Sequence, residues 1–113
     1  MSEDLSKGRC LPCEGGVPPL APDEARALLD QLDPAWRLAE DGKEIRRRFE
    51  FHDFYETMAF VNALAYVAHG ENHHPDLDVS WGKCLVRWST HAARGLTRND
   101  FICAARTDAL LRR

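Results

Sequence analysis

Four of the five histidines in this chain fall between His69 and His91. They lie in His69-Gly70-Glu71-Asn72-His73-His74-Pro75 and in Ser89-Thr90-His91, with Asp100 following nine residues later. Imidazole is the side chain that both gives and takes a proton near neutrality, so the cluster points to acid/base chemistry. Elimination of water needs a donor at the leaving oxygen and an acceptor for the proton released elsewhere. Adjacent residues of an extended loop, such as His73 and His74, point in different directions and could divide those duties. Three other readings compete. His73, His74, His91 and Asp100 offer donors that suit zinc, although neighbouring histidines splay apart and rarely reach one ion. A helix-end histidine is usually a satisfied polar group, which is the reading for His52 and His69. Asp100, three residues after Thr97, also stands where a capping box would place it.

The elements that must position these groups share one core, because 113 residues suffice for a single domain. The net charge is −3 and the basic residues are scattered, apart from Arg46-Arg47-Arg48. No continuous positive footprint exists, so no nucleic-acid partner is expected. Apolar runs fall far short of the roughly 20 residues that span a bilayer, and the N-terminus lacks a secretory pattern. A protein of the cytoplasm, with no membrane contact, is expected. In a reducing compartment Cys84 and Cys103 read as small buried hydrophobes. Cys10-Leu11-Pro12-Cys13 is half a zinc ribbon, and a second subunit would have to complete it.

Residues 1–20 read as an irregular arm, since Gly8, Pro12, Gly15, Gly16, Pro18 and Pro19 forbid a continuous element. The domain proper is expected over 21–113. Pro22, Asp23 and Glu24 start a helix with Ala25, Leu28, Leu29 and Leu32 on one stripe, stopped by Asp33-Pro34. Trp36 to Glu40, the Asp41-Gly42 turn and Glu44 to Phe51 form a hairpin. Its second strand turns Ile45, Phe49 and Phe51 to one face and Glu44, Arg46, Arg48 and Glu50 to the other, with Arg47 pointing inward or toward a partner. Asp53 and Glu56 open a long helix from Phe54 to about His69, closed by Gly70. A second hairpin alternates through Leu77, Val79 and Trp81, turns at Gly82-Lys83, and alternates again through Cys84, Val86, Trp88 and Thr90. Thr97 caps a last helix carrying Phe101, Ile102, Ala105 and Ala109, with Arg112 and Arg113 at its end.

The order αββαββα, with strands arriving as hairpins, predicts an α+β fold: a four-stranded antiparallel sheet with three helices packed on one face. The hairpin begun by His74-Pro75 ends beside His91, so all three imidazoles can converge at the sheet's edge. Two apolar stripes on the long helix, Phe54-Met58-Val61-Ala65 and Phe60-Leu64-Val67, exceed what one sheet face covers. A homodimer or homotetramer through Phe54–Val67 is expected.

His69, His73-His74-Pro75, Trp81, His91 and Asp100, at these spacings, resemble the signature of the pterin-4a-carbinolamine dehydratases. Trp36, Phe49-Glu50-Phe51 leading into Asp53-Phe54, and Ser89-Thr90-His91 leading through Gly95-Leu96 extend the resemblance over all but the arm. The resemblance implies a lyase that dehydrates 4a-hydroxytetrahydrobiopterin to quinonoid dihydropterin without cofactor or metal. It assigns His73 and His91 to acid/base duty and His74 to orienting the substrate. Asn72, Ser89 and Thr90 would hold the pterin's amide and amino edge, and Asp100 would support His91 or the pocket. Position 69 is often acidic in the family, and Asn72 stands where some relatives carry aspartate, which predicts a shifted pH optimum. Some animal relatives also serve as dimerisation partners of a transcription factor, so a non-catalytic pterin-binding or protein-partner role is the alternative.

Overall fold

The computed structural model describes residues 4–11 and 17–111. Seven regular elements follow one another: α1 (Pro22–Leu29), β1 (Arg37–Leu38), β2 (Ile45–Glu50), α2 (Phe54–Glu71), β3 (Asp76–Ser80), β4 (Lys83–Trp88) and α3 (Arg98–Ala109). All strand pairs are antiparallel and the sheet order is β1-β2-β4-β3. The expected α+β architecture is therefore what the chain adopts.

Period-2 alternation decides which face of the sheet is covered. Ile45 and Phe49 of β2 and Cys84, Val86 and Trp88 of β4 turn inward and are buried. Phe60, Leu64 and Ala68 of α2, Phe101, Cys103 and Ala104 of α3, and Ala25 and Leu28 of α1 close over them in one core. Each large side chain removed from water contributes about 1.5–3 kcal/mol. Trp36 closes one end, with its ring edge-on to Phe49 at 6.1 Å. Arg47 sits on the inward side. Its Nη1 donates to Asp108 Oδ1 at 2.9 Å and its guanidinium lies 4.6 Å over the Phe49 ring, so the charge is paired at Nη1 while the buried Nε has no hydrogen-bond partner among the described residues. Burial pushes the Asp108 carboxyl above its ordinary range, and the Trp36 indole N–H and Arg47 act against that push.

Several boundaries differ from the sequence expectation. α1 stops at Leu29, and Leu32 reaches the core from the following turn. β1 is only two residues long. The second hairpin turns at Trp81-Gly82 rather than Gly82-Lys83, because the register pairs Ser80 with Lys83. That turn is held by Phe51 N–H on Gly82 O at 2.8 Å and by the Thr57 hydroxyl on Trp81 O at 3.0 Å. Most consequential, α2 does not end at Gly70. It runs to Glu71 and terminates on Asn72, whose φ of 52° and ψ of 41° are left-handed. His73 N–H then bonds back to Ala68 O at 3.1 Å and Asn72 N–H to His69 O at 3.1 Å, a Schellman-type ending. Asparagine tolerates this conformation, so the helix gains two residues and Asn72 aims the chain at His73.

The first segment of the arm lies against α3. Leu5 is buried in the core, and Arg106 donates from Nε and Nη2 to Gly8 O at 3.1 and 2.9 Å. Cys13, Arg112 and Arg113 lie outside the described residues. No helix among those described is long and apolar enough to cross a membrane.

Candidate active site

The β3–β4 register pairs Asp76 with Arg87. Continued two residues toward the helix, it sets His74 beside Ser89, so the loop after α2 and the end of β4 face each other. A cleft of about 470 Å³ opens there, lined by Glu71, Asn72, His73, His74, Ser89, Thr90, His91, Ala92, Asn99 and the arm residues Cys10 and Leu11. That volume lies within the usual range for small-ligand sites.

His73 is the fixed member of the group. It is 9% exposed, and its ring lies parallel to the Trp88 indole with centroids 5.6 Å apart. Its Nε2 is 2.6 Å from Oδ1 of Asp100, which is fully buried. The other carboxylate oxygen, Oδ2, accepts from the Thr90 hydroxyl at 2.8 Å and from Thr97 N–H at 2.9 Å. A carboxylate already accepting two hydrogen bonds is an acceptor toward the ring as well, so Nε2–H donates and Nδ1 is left for proton transfer. When the imidazole is protonated, the same contact becomes charge-assisted.

Asp100 combines the two duties read for it separately. It closes the capping box of α3 with Thr97 and it holds a histidine, but that histidine is His73 and not His91. It does not line the cleft. His74 and His91 do, as exposed rings with no protein partner among the described residues. Thr90 turns its hydroxyl inward to Asp100 and Thr97, and its N–H bonds Gly95 O at 2.9 Å. Ser89 is half-buried and lines the cleft. His69 is exposed on the last turns of α2 and does not line the cleft. Trp81 sits at the far tip of the hairpin, 66% exposed. Among the described residues no group of three or more histidine, cysteine, aspartate or glutamate side chains is arranged to hold a metal ion.

Sequence reasoning missed five cleft residues, Cys10, Leu11, Glu71, Ala92 and Asn99. Glu71 Oε1 accepts from Cys10 N–H at 2.8 Å and Oε2 from Arg9 Nε at 2.8 Å. Burial opposes the charge on this carboxyl, but the Cys10 hydrogen bond and the charges of Arg106 and Arg9 prevail and hold it below the ordinary carboxylate range. A carboxyl depressed by folding stabilises above its unfolded pKa, about 4.3, and the contribution fades as pH falls through the folded value. The arm contact is thus expected to persist at neutral pH and to weaken only at acid pH, once Glu71 takes up its proton. The Cys10 amide proton resonance should hold its position above pH 5 and move upfield on further acidification; a resonance that moves instead between pH 6 and 8 would contradict the assignment. No signal local to the arm announces these contacts, since their partners lie in α2 and α3.

Residues 18–110 of the chain match the family model described as Pterin 4 alpha carbinolamine dehydratase. The chain belongs to that family. Relatives bearing the name "Putative pterin-4-alpha-carbinolamine dehydratase" include one from Nitrosomonas eutropha, 55% identical over 96% of this chain and 94% of the relative. Another, from Legionella pneumophila strain Corby, is 52% identical over 98% of both chains. Alignments of that extent take in the arm as well as the matched domain. Among solved structures, a transcriptional coactivator/pterin dehydratase from Brucella melitensis superposes with a TM-score of 0.77 at 28% identity, covering 81% of this chain and 97% of that one. A pterin dehydratase-like protein described as a RuBisCO assembly factor of the alpha-carboxysome gives 0.59 at 25% identity, covering 67% and 88%. The family's αββαββα order and its antiparallel sheet are those found here.

Proposed function

We propose that this family member is a hydro-lyase that removes the 4a-hydroxyl of 4a-hydroxytetrahydrobiopterin as water and releases quinonoid dihydropterin, serving tetrahydrobiopterin recycling in the cytoplasm. The observation that carries the reading is His73, pinned through Nε2 by buried Asp100 and stacked on Trp88, in a cleft that also presents His74 and His91. Loss of the hydroxyl requires a proton at the leaving oxygen and removal of one from a ring nitrogen. His73 through Nδ1 and His91 take those two roles, and His74 orients the ring. Asn72 and Ser89 meet the pterin's amide and amino edge, with Thr90 forming the wall behind them. Asp100 is a positioning residue that selects the His73 tautomer and supports the charged ring. The elimination is redox-neutral and calls for no cofactor.

Phe54, Tyr55 and Tyr66 on α2 are 45%, 86% and 82% exposed, so the helix carries apolar surface that its own sheet does not cover. We assign that surface to self-association into a dimer or tetramer. It also supports the second reading, a non-catalytic role through a protein partner; the Brucella protein is named a transcriptional coactivator as well as a pterin dehydratase, and the carboxysome protein a RuBisCO assembly factor.

The test is the rate of quinonoid dihydropterin formation from freshly generated 4a-hydroxytetrahydrobiopterin in metal-free buffer. Wild type should accelerate it, and His91→Ala should be slower than wild type by at least about tenfold. A folded wild type that leaves the spontaneous rate unchanged would favour the partner reading.

A further inference from the structure

The cleft lining is polar apart from Cys10, Leu11 and Ala92, and Leu11 is its one large apolar side chain among the described residues. Leu11 is 74% exposed, yet its backbone is fixed on both sides. The Asn99 amide accepts from Leu11 N–H at 3.0 Å and donates to Leu11 O at 2.7 Å, and Asn99 is itself 5% exposed. One residue earlier, Glu71 holds Cys10 N–H, and the Cys10 sulfur rests 3.4 Å from that of Cys103. Two residues before that, Arg106 holds Gly8 O. Three polar side chains from α2 and α3 are thus committed to a short irregular strap whose exposed leucine adds nothing to the core. Ordering the backbone there costs conformational entropy that burial of the leucine does not offset, unless a ligand later covers it.

A pterin has one polar edge and one substituted edge. Its pyrimidine amide and amino groups match hydroxyls, amides and imidazoles, whereas an alkyl substituent on the pyrazine ring is favoured by an apolar neighbour. We propose that Arg9–Leu11 is the part of the cleft that reads the ring substituent, with Leu11 making the contact and Asn99 and Glu71 acting as positioning residues. This rests on the pterin reading above and extends it to specificity. Residues 9–11 lie before the segment matched by the family model, so the device is added to the common domain.

The experiment compares two 4a-hydroxytetrahydropterins, one with a 6-propyl chain and one with a 6-methyl group, in wild type, Leu11→Ser and Glu71→Ala. Discrimination by a few carbon atoms is worth about 10–200-fold. Wild type should favour the longer chain, and Leu11→Ser should reduce the ratio of the two kcat/KM values by about tenfold, through KM rather than kcat. Glu71→Ala, which removes the acceptor that holds Cys10 N–H without touching Leu11, should shift the ratio in the same direction. Calorimetric Kd values for the corresponding stable 7,8-dihydropterins should show the same change in ratio. Unchanged ratios in both variants overturn the proposal. If wild type binds dihydropterins without accelerating dehydration, the dehydratase reading falls, and the Kd ratio still decides for or against the strap. A wild type that binds neither dihydropterin overturns both.

Discussion

Alanine at His73 should reduce dehydration by about 10²–10⁴-fold, the span associated with a positioned acid/base group. Of the three imidazoles at the cleft this ring is the one held by the protein, through a 2.6 Å contact to Asp100 and the face of Trp88. A proton-transfer group acts chiefly in the transition state, so kcat and kcat/KM should fall together while substrate affinity changes little. Folding should suffer less than chemistry. Asp100 keeps its hydrogen bonds from Thr90 and Thr97 in the variant, and leaving one side of a buried polar group unpaired costs about 1–3 kcal/mol. Asp100→Asn separates positioning from chemistry. Its amide presents only one acceptor oxygen where Thr90, Thr97 and His73 all require one, so the rate should fall with His73 still present. Stopped-flow measurement with circular dichroism as the folding control decides the matter. His73→Ala activity within a few-fold of wild type would falsify the assignment and transfer the duty to His91 and His74.

Trp88→Ala should lower the unfolding free energy by about 3–5 kcal/mol. Against a total of about 5–15 kcal/mol for a domain of ordinary stability, that brings the protein close to unfolding. Trp88 is fully buried on a central strand and is the largest such side chain. Its indole N–H donates to the Thr107 hydroxyl at 3.2 Å, and that hydroxyl donates in turn to Cys103 O at 2.7 Å. Removing the indole leaves a cavity between β4, α3 and His73, and it removes the surface on which His73 stacks. Trp88→Phe keeps most of the volume and loses the N–H donor, so it should recover more than half of the loss. Denaturant unfolding of the three proteins gives the comparison. A difference below about 1 kcal/mol between wild type and Trp88→Ala would show that the site collapses around the gap.

How far the sequence reaches depends on the distance over which its signals act. Alternation through Ile45–Glu50 and Lys83–Trp88 and the broad apolar surface of Phe54–Glu71 are local patterns. Together with turn chemistry at Asp41-Gly42 they sufficed for the element order and for the α+β class. Hairpin geometry likewise brought His74 to the end of β4, because antiparallel pairing of neighbours in sequence leaves little freedom. Element ends were less legible. Gly70 and Asn72 both suit a left-handed helix end, and the His73 N–H bond to Ala68 O made the choice for Asn72. At the second turn, the Trp81 and Gly82 carbonyls are claimed by Thr57 and Phe51, residues far away in the chain.

The residue types and spacing of His73, His74, His91 and Asp100 by themselves marked where proton chemistry could occur and resembled one family. Which histidine receives the buried carboxylate was a matter for the tertiary structure alone. Asp100 is separated from His73 by α3's entry loop, β4 and β3, and only the packing of α3 against the sheet sets the 2.6 Å contact. The arm teaches the same lesson more strongly. Its glycines and prolines describe a segment with no repeating backbone structure, and nothing local tells Leu11 that it will lie on Asn99 or Cys10 that it will meet Glu71. Repeating hydrogen bonds leave a period in the sequence, whereas single contacts between distant side chains leave none, so the fold class could be read from the chain and the wall of the cleft could not.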